Sequence, residues 1–136
     1  MKKLLSTGYT DTAFNIATLV LRATFGILIF LNHGLSKLNK FNELQHSFFD
    51  PMHIGHRLSL LLVLFAEMVC SLLLVLGLFT RLAAFVLFID MLVAVFVFHK
   101  GQPVAQYELA IVFLVAFFTT LLVGPGKYSV DRMTGK

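Results

Sequence analysis

Long apolar stretches separated by short polar segments dominate the chain, and the clearest of them covers residues 58–79. These 22 residues contain a single charged side chain, Glu67. As a helix, the stretch would be about 33 Å long, against a bilayer hydrocarbon core of about 30 Å. A soluble helix rarely presents leucine around its whole circumference, so the pattern predicts a transmembrane span.

Three further apolar stretches have the same character, and polar residues interrupt them at few positions. Arg22 lies within the first, Asp90 at the centre of the third and Glu108 within the fourth. The predicted spans are 14–35, 58–79, 82–98 and 104–124, with an outer loop over 36–57. The sequence therefore predicts an all-α, polytopic membrane protein, a four-transmembrane-helix bundle that forms a single domain over residues 1–136.

Small and polar residues recur at three- and four-residue steps along the spans, so that they share one face of each helix. Such stripes let membrane helices approach closely and form hydrogen bonds. On the four spans in chain order the stripes are Asn15, Thr18, Arg22, Gly26, Ile29, His33 and Ser36; Ser59, Ala66, Cys70 and Gly77; Ala83, Asp90 and Ala94; and Ala105, Glu108, Val112, Ala116 and Thr119. We expect these stripes to face the bundle and the other faces to contact lipid.

Composition and charge agree with the membrane class. Of 136 residues, 58% are hydrophobic and only 13% are charged, against about 25% charged in average soluble domains. The net charge of +4 comes without a basic stripe interleaved with aromatics, so nucleic-acid binding is excluded. Cys70 is the only cysteine, which excludes an intrachain disulfide, a CxxC redox pair and an all-cysteine metal site.

The distribution of Lys and Arg predicts the orientation in the membrane. Six lie on the side of the two termini and four on the side of the long loop: Lys2, Lys3, Arg81, Lys127, Arg132 and Lys136 against Lys37, Lys40, Arg57 and Lys100. This bias favours cytoplasmic N- and C-termini in a multi-pass protein of the inner or plasma membrane. Arg22 breaks the first apolar stretch and no cleavage site follows it, which favours an uncleaved span over a signal peptide.

Six polar residues within the spans form the candidate site: Arg22, Asn32, His33, Glu67, Asp90 and Glu108. A lone charge at the bilayer centre costs at least about 3 kcal/mol, so Arg22 is expected to pair with Glu67, Asp90 or both. Counting along the helices places these three charges in the middle or inner half of the membrane. Two interpretations stay open: a network that only fixes helix packing, or a proton or redox-ligand site.

The other polar residues lie near the outer ends of the spans. Asn32, His33, His99 and Glu108 could exchange a proton with the head group of a quinone at the mouth of the bundle. Polar residues at the end of a span also belong in the headgroup region without any ligand, and this plainer interpretation suits His99. His33 lies on the polar stripe, which favours a ligand role. A haem held by His33 and His99 is not favoured, because two histidines are a weak signal.

The outer loop contains a scattered set of metal-ligand types: His46, Asp50, His53 and His56. His53 and His56 could present two imidazoles from one helical turn, and Asp50 could add an oxygen. Pro51 and Gly55 disfavour that helical turn. We therefore expect these side chains to be solvated, and no metal centre is predicted.

Three segments have a recognisable pattern: LRATFGILIFLNHGLSKL in the first span, AEMVCSLLLVLGLFTRLAAFVL across the second and third, and LLVGPGKYSVD near the end. Together these segments resemble the DoxX family. Their order and spacing extend the resemblance over essentially the whole chain. The matching positions are Arg22, His33, Gly34, Lys37, Glu67, Thr80, Arg81 and the 124–126 segment. The long histidine-bearing loop departs from the shorter loops of the family.

The resemblance implies a four-helix integral membrane protein and narrows its function. Some DoxX relatives are subunits of quinone-reducing complexes such as the thiosulfate:quinone oxidoreductase, and others are associated with membrane oxidoreductases that handle oxidative or thiol stress. The first hypothesis is a quinone-interacting subunit or accessory of such a complex, at most an oxidoreductase subunit and not catalytic alone. It predicts an apolar cavity lined by His33, Glu67, Asp90 and Glu108.

The alternative is a non-enzymatic membrane scaffold or assembly protein with a structural buried charge network. Both hypotheses place the chain in a lipid bilayer with a protein partner subunit, and both leave a homo-oligomer open. Quinone is the ligand that the first hypothesis names. The two differ in whether a lipophilic ligand is bound in a fixed ratio to the protein.

Overall fold

The computed structural model describes residues 3–135 of the chain. Within that range the regular elements are all helices, and four of them are long and apolar enough to cross a membrane. The helices are α1 (Asp11–Asn39), α2 (Phe41–Leu44), α3 (His56–Leu76), α4 (Thr80–Phe98), α5 (Val104–Val123) and α6 (Val130–Met133). The predicted all-α, four-helix membrane fold is confirmed. Lys2 and Lys136, which entered the orientation count, lie outside the described residues.

The four long helices form a ring in which each packs against its neighbours along the chain. The most extensive contact joins α4 to α5, and the thinnest joins α1 to α5 and closes the ring. Helices that follow one another in the ring run antiparallel, so the bundle has two distinct ends. We call them the loop end, formed by residues 40–55 and 99–103, and the terminal end, formed by residues 77–79 and the segments near both chain termini.

The small-residue stripe predicted for α3 is buried in the bundle. Ser59, Ala66 and Cys70 are each at most 5% exposed, and Glu67 beside them is 3% exposed. Large apolar side chains on the outward faces are exposed, as a surface against acyl chains requires. The chain is therefore a multi-pass membrane protein whose polar seam faces inward.

The stripe predicted for α5 is wrong in its loop-end half. Ala105, Glu108 and Val112 are exposed. The buried positions are instead Phe113, Ala116, Phe117 and Thr120. The backbone departs from helical geometry at Tyr107 (φ −124°, ψ 20°), and two aromatic rings, not small residues, fill the contact with the bundle. Small-residue spacing alone could not reveal this.

Three of the long helices contain a π-helical segment: Phe30–Gly34 in α1, Phe65–Cys70 in α3 and Ala94–Phe98 in α4. A π-helical turn inserts an extra residue and disturbs the i to i−4 ladder, and such turns are frequent at functional sites. In α3 the Ser71 hydroxyl donates a hydrogen bond to Glu67 O at 2.6 Å and so gives this carbonyl oxygen a partner. Two of these segments carry candidate residues, His33 and Glu67.

Glycine lets α1 and α3 touch at their π-helical segments. A Cβ atom at Gly34 would lie 2.7 Å from Met68 Cγ and 2.9 Å from Glu67 O. Both distances are shorter than a methyl group tolerates, so only glycine fits without a shift of the helices. The contact fixes the end of α1 that bears His33 and Lys37 against the part of α3 that bears Glu67.

Candidate functional site

An ion pair buried between α1 and α3 is the centre of the candidate site. Lys37 Nζ lies 2.7 Å from Glu67 Oε2, so the ammonium donates a charge-assisted hydrogen bond to the carboxylate. The Glu67 side chain is 4% exposed and that of Lys37 is 23% exposed. Lys37 therefore links a buried carboxylate on α3 to the surface at the loop end.

Asp90, on α4, completes an acidic pair with Glu67. The two side chains are close enough to interact by charge and as hydrogen-bonding partners. Asp90 Oδ2 is fully buried, yet it has no partner with good hydrogen-bond geometry among residues 3–135. An unsatisfied buried oxygen costs about 1–3 kcal/mol, so this group needs an explanation.

His33 and Cys70 border the acidic pair. The His33 ring packs edge-on against Phe113 of α5 at 5.6 Å between centroids, and it lies within electrostatic range of Glu67 and Lys37. The buried Cys70 thiol is free and lies near Asp90. We call His33, Lys37, Glu67, Cys70 and Asp90 the loop-end cluster.

Arg22 lies outside this cluster, and the predicted pairing of Arg22 with Glu67 or Asp90 is wrong. Its Nη1 donates to the carbonyl oxygens of Leu74 (2.9 Å) and Val75 (3.1 Å), and its Nη2 donates to Tyr128 O (2.7 Å). The last carbonyls of a helix have no intrahelical partner, so the end of α3 offers acceptors to a buried guanidinium. The charge beside Arg22 is that of Asp131, which follows α5.

Asp131 caps α4 from the far end of the chain. Its Oδ1 accepts the N–H of Phe79 and its Oδ2 accepts the N–H of Thr80, both at 2.8 Å. These bonds satisfy free donors at the start of α4 and hold Phe79 in a left-handed conformation (φ 49°). The Asp131 N–H in turn donates to Gly77 O at 2.8 Å. We call Arg22, Gly77 and Asp131 the terminal-end cluster.

Two predicted site residues are not brought into either cluster. Asn32 and Glu108 are exposed near the loop end. His99 lies there too, where its Nδ1–H donates to Ala94 O at 2.6 Å and its ring stacks on Tyr107. This bond ends the π-helical segment of α4, so His99 has a structural role in the fold.

The outer loop is organised by Asp50 as a cap on α3. Its carboxylate accepts the N–H groups of Ile54 (3.0 Å) and Gly55 (2.8 Å) and the hydroxyl of Ser59 (2.9 Å). Partial desolvation raises the pKa of Asp50, but these hydrogen bonds and the nearby His56 outweigh it, and the net effect is a pKa below the ordinary value.

The loop residues considered as metal ligands do not converge. His56 Nδ1 bonds to the carbonyl of Phe48, and His46 and His53 are exposed. Within residues 3–135, no three His, Cys, Asp or Glu side chains are grouped so that they could hold a metal ion. The oxygens of Asp50 serve the loop backbone instead.

The cavities on the bundle surface include the following two. One of about 570 Å³ lies at the terminal end, between the start of α1 and the segment 123–132. The other, of about 370 Å³, is an apolar groove between α1 and α5, lined by Leu21, Phe25, Ile111, Val112, Val115, Ala116 and Thr119. Neither is lined by His33, Glu67, Asp90 or Glu108, so neither is the cavity that the sequence predicted.

Comparison with known proteins identifies the family. The family model for DoxX matches residues 17–100, which is more than half of the chain. The chain belongs to the DoxX family. An uncharacterized protein of Haemophilus influenzae is 35% identical to it over 76% of this chain and 81% of that protein. No solved structure matches.

The DoxX match includes the whole loop-end cluster and ends before Asp131. Sequence reasoning left Lys37 and Asp131 out of the candidate site. Lys37 had a usable signal, because it follows His33 by four residues and so lies one helical turn further along. Asp131 had none, because its partners, the amides of Phe79 and Thr80, come next to it only through tertiary folding.

Proposed function

We propose that this DoxX protein is a quinone-interacting subunit or accessory of a membrane oxidoreductase, and that the loop-end cluster is the polar group that meets the ligand. The observation that supports the proposal is a protonatable cluster buried between membrane spans, in which Asp90 Oδ2 has no well-formed hydrogen bond within residues 3–135. Intramembrane ionisable residues generally serve binding or transport. An oxygen left with spare bonding capacity can accept a hydrogen bond from a ligand.

The residues of the loop-end cluster are of the types that proton uptake by a quinone requires. A quinone takes up protons together with electrons, so its site needs a hydrogen-bond donor and a proton store. Lys37 is a donor bonded to Glu67, and the two carboxyl groups can store a proton. The chain has one cysteine and no cofactor-binding motif, so we assign the electron source to a partner subunit.

The second candidate function is a scaffold or assembly protein, and the terminal-end cluster favours it. Arg22 and Asp131 are held by backbone groups and join the segment after α5 to α1, α3 and α4. Such bonds position helices and bind no ligand. A scaffold of this kind would carry no lipophilic molecule in a fixed ratio.

Purification in a mild detergent, followed by solvent extraction and mass spectrometry, separates the two. We expect a near-stoichiometric quinone with the wild-type protein, and its loss in Glu67→Gln and His33→Ala. Glu43→Gln is the matched control, because Glu43 is exposed on α2, away from the cluster. Bulk phospholipid alone, in wild type and variants alike, would refute the quinone proposal and favour the scaffold.

A further inference from the structure

The loop-end cluster has more acidic than basic groups when His33 is neutral. Glu67 and Asp90 supply two carboxyl groups, and Lys37 supplies one ammonium, which is bonded to Glu67. Asp90 faces Glu67 and has a buried oxygen without a well-formed hydrogen bond from residues 3–135. Two carboxylates that share a site repel each other, and burial removes the water that would otherwise stabilise both charges.

We infer that Glu67 and Asp90 bind one proton between them at neutral pH, as a carboxylic acid hydrogen-bonded to a carboxylate, and that this proton exchanges with water at the loop end. The O–H of one carboxyl group donates to an oxygen of the other, and Lys37 neutralises the remaining negative charge. Loss of the proton to water leaves the cluster with one net negative charge. Gain of a second proton leaves one net positive charge.

The charged and titratable groups next to the acidic pair come from α1 and α3. They are His33 and Lys37 from α1 and Cys70 from α3, and the Phe113 ring of α5 packs against His33. The titratable residues of α5 lie at the loop end, where Tyr107 stacks on His99 and Glu108 is exposed. Lys37 is thus the cation bonded to the acidic pair. His33 is a second group that could be charged nearby, so the variants must distinguish its effect from that of Lys37.

An apolar layer closes the cluster toward the terminal end. Four side chains form this layer and have no solvent exposure: Ile29, Leu74, Leu87 and Phe117. Each lies about one or two helical turns closer to the terminal end than a residue of the loop-end cluster or than Phe113. On the opposite side, the Lys37 side chain is 23% exposed. Water therefore reaches the acidic pair past Lys37, and the layer separates the pair from Arg22.

Infrared difference spectroscopy in an ester-free detergent tests the shared proton. At pH 7 we expect the C=O stretch of one protonated carboxyl group, shifted in D2O. The other acidic residues lie outside the pair and are exposed or accept several hydrogen bonds: Asp11, Glu43, Asp50, Glu108 and Asp131. The band should disappear in Asp90→Asn, because the substitution removes one of the two carboxyl groups that share the proton, and persist in Glu43→Gln.

Substitution of the cation gives a second readout. In Lys37→Gln both carboxyl groups should be protonated, so the band intensity should rise about twofold, whereas Lys37→Arg should keep the wild-type intensity. His33→Gln should retain the band, because a neutral His33 contributes no charge to the cluster and its replacement changes none. Absence of the band in wild type at pH 7, or a band that survives Asp90→Asn, would overturn the inference. If Asp90→Asn does not fold, a band unchanged in Lys37→Gln overturns it equally.

The side of exchange is measured in sealed proteoliposomes of ether-linked lipids, which have no ester carbonyl, and their orientation is established by protease cleavage of residues 40–55. A pH jump on the loop-end side should change the band, and a jump on the terminal-end side should not; the reverse would overturn the access route. The inference does not rest on the proposed function. A protein that shows the band but binds no quinone refutes the quinone proposal alone, and bound quinone without the band refutes this inference alone.

Discussion

The two buried clusters contain similar charges but satisfy them in different ways. At the terminal end, Arg22 is 1% exposed and donates to three backbone carbonyls, and Asp131 accepts two backbone N–H groups. At the loop end, Lys37 and Glu67 bond to each other through their side chains, with Asp90 next to them. Backbone groups do not titrate, whereas carboxyl groups do.

Because of this difference, the buried charges at the terminal end can only fix the fold, whereas those at the loop end can also take part in chemistry. The carbonyls around Arg22 keep the same charge at every pH, and the bonds that Arg22 donates order the segment after α5. The side chains around Glu67 can change their charge and leave an oxygen of Asp90 available. Each cluster combines a basic side chain with buried carboxyl groups, so the identity of the partner decides the role.

The largest expected effect is that of Arg22→Met. The substitution removes the side-chain donor to the carbonyls of Leu74, Val75 and Tyr128, of which Leu74 keeps the N–H of Gly77, and it removes the positive charge beside Asp131. We expect a loss of about 3–5 kcal/mol in the free energy of unfolding, measured by circular dichroism during thermal unfolding in detergent. Arg22→Lys should recover only part of it, because an ammonium cannot reproduce the geometry of the guanidinium fork. An unchanged melting temperature in Arg22→Met would show that Arg22 does not stabilise the fold as described for the terminal-end cluster.

Gly34→Ala should have the next largest effect, at the other cluster. The new methyl group would meet Met68 Cγ and Glu67 O at less than 3 Å and push α1 away from α3. Overpacking of this kind costs about 1–3 kcal/mol, and it should also weaken the Lys37–Glu67 bond. Gly8→Ala is the matched control, because the nearest atom to its Cβ position is Ser6 Oγ at 3.6 Å. Equal unfolding temperatures for both variants would show that the helix contact is looser than described.

Lys37→Met should cost less, and its cost should depend on pH. When the ammonium is removed, the acidic pair can take up a proton, which lowers the penalty of an unpaired buried charge. We expect a loss below about 1 kcal/mol in mildly acidic buffer that grows as the pH rises. Thermal unfolding at several pH values measures it, with Arg22→Met as the reference whose loss stays nearly constant. If the loss of unfolding free energy depended on pH in the same way in both variants, the two clusters would not differ in how they use their charges.

The smallest effect is expected in the exposed loop. The pKa of Asp50 is lowered in the folded protein, so the ionised carboxylate stabilises the loop above the unfolded pKa. That contribution is lost as the pH falls through the lowered, folded-state value. Hydrogen exchange at Ile54 and Gly55 should therefore accelerate relative to the rest of the chain in acid, and Asp50→Asn should show faster exchange already at neutral pH. Exchange independent of Asp50 would contradict its role as a cap.

The amino-acid sequence was enough to predict the class, the number of spans and the burial of Arg22 and Glu67. These properties follow from local hydropathy, because a helix of about 20 apolar residues must lie in the membrane wherever its neighbours are. The seam on α3 was predictable for the same reason, since it needs only the helical period. The limits of the helices lie within a few residues of the expected spans.

Which polar groups meet depends on the packing of the helices. Arg22 binds carbonyls at the end of α3 because no further helical turn covers those acceptors, a fact that no spacing along α1 reveals. The π-helical segments change the face on which later residues lie, and the kink at Tyr107 does the same for α5. Asp131 reaches Thr80 across 51 positions, and Lys37 takes the place beside Glu67 that Arg22 was expected to fill. Pairing depends on distances between elements, and a linear pattern describes only one element at a time.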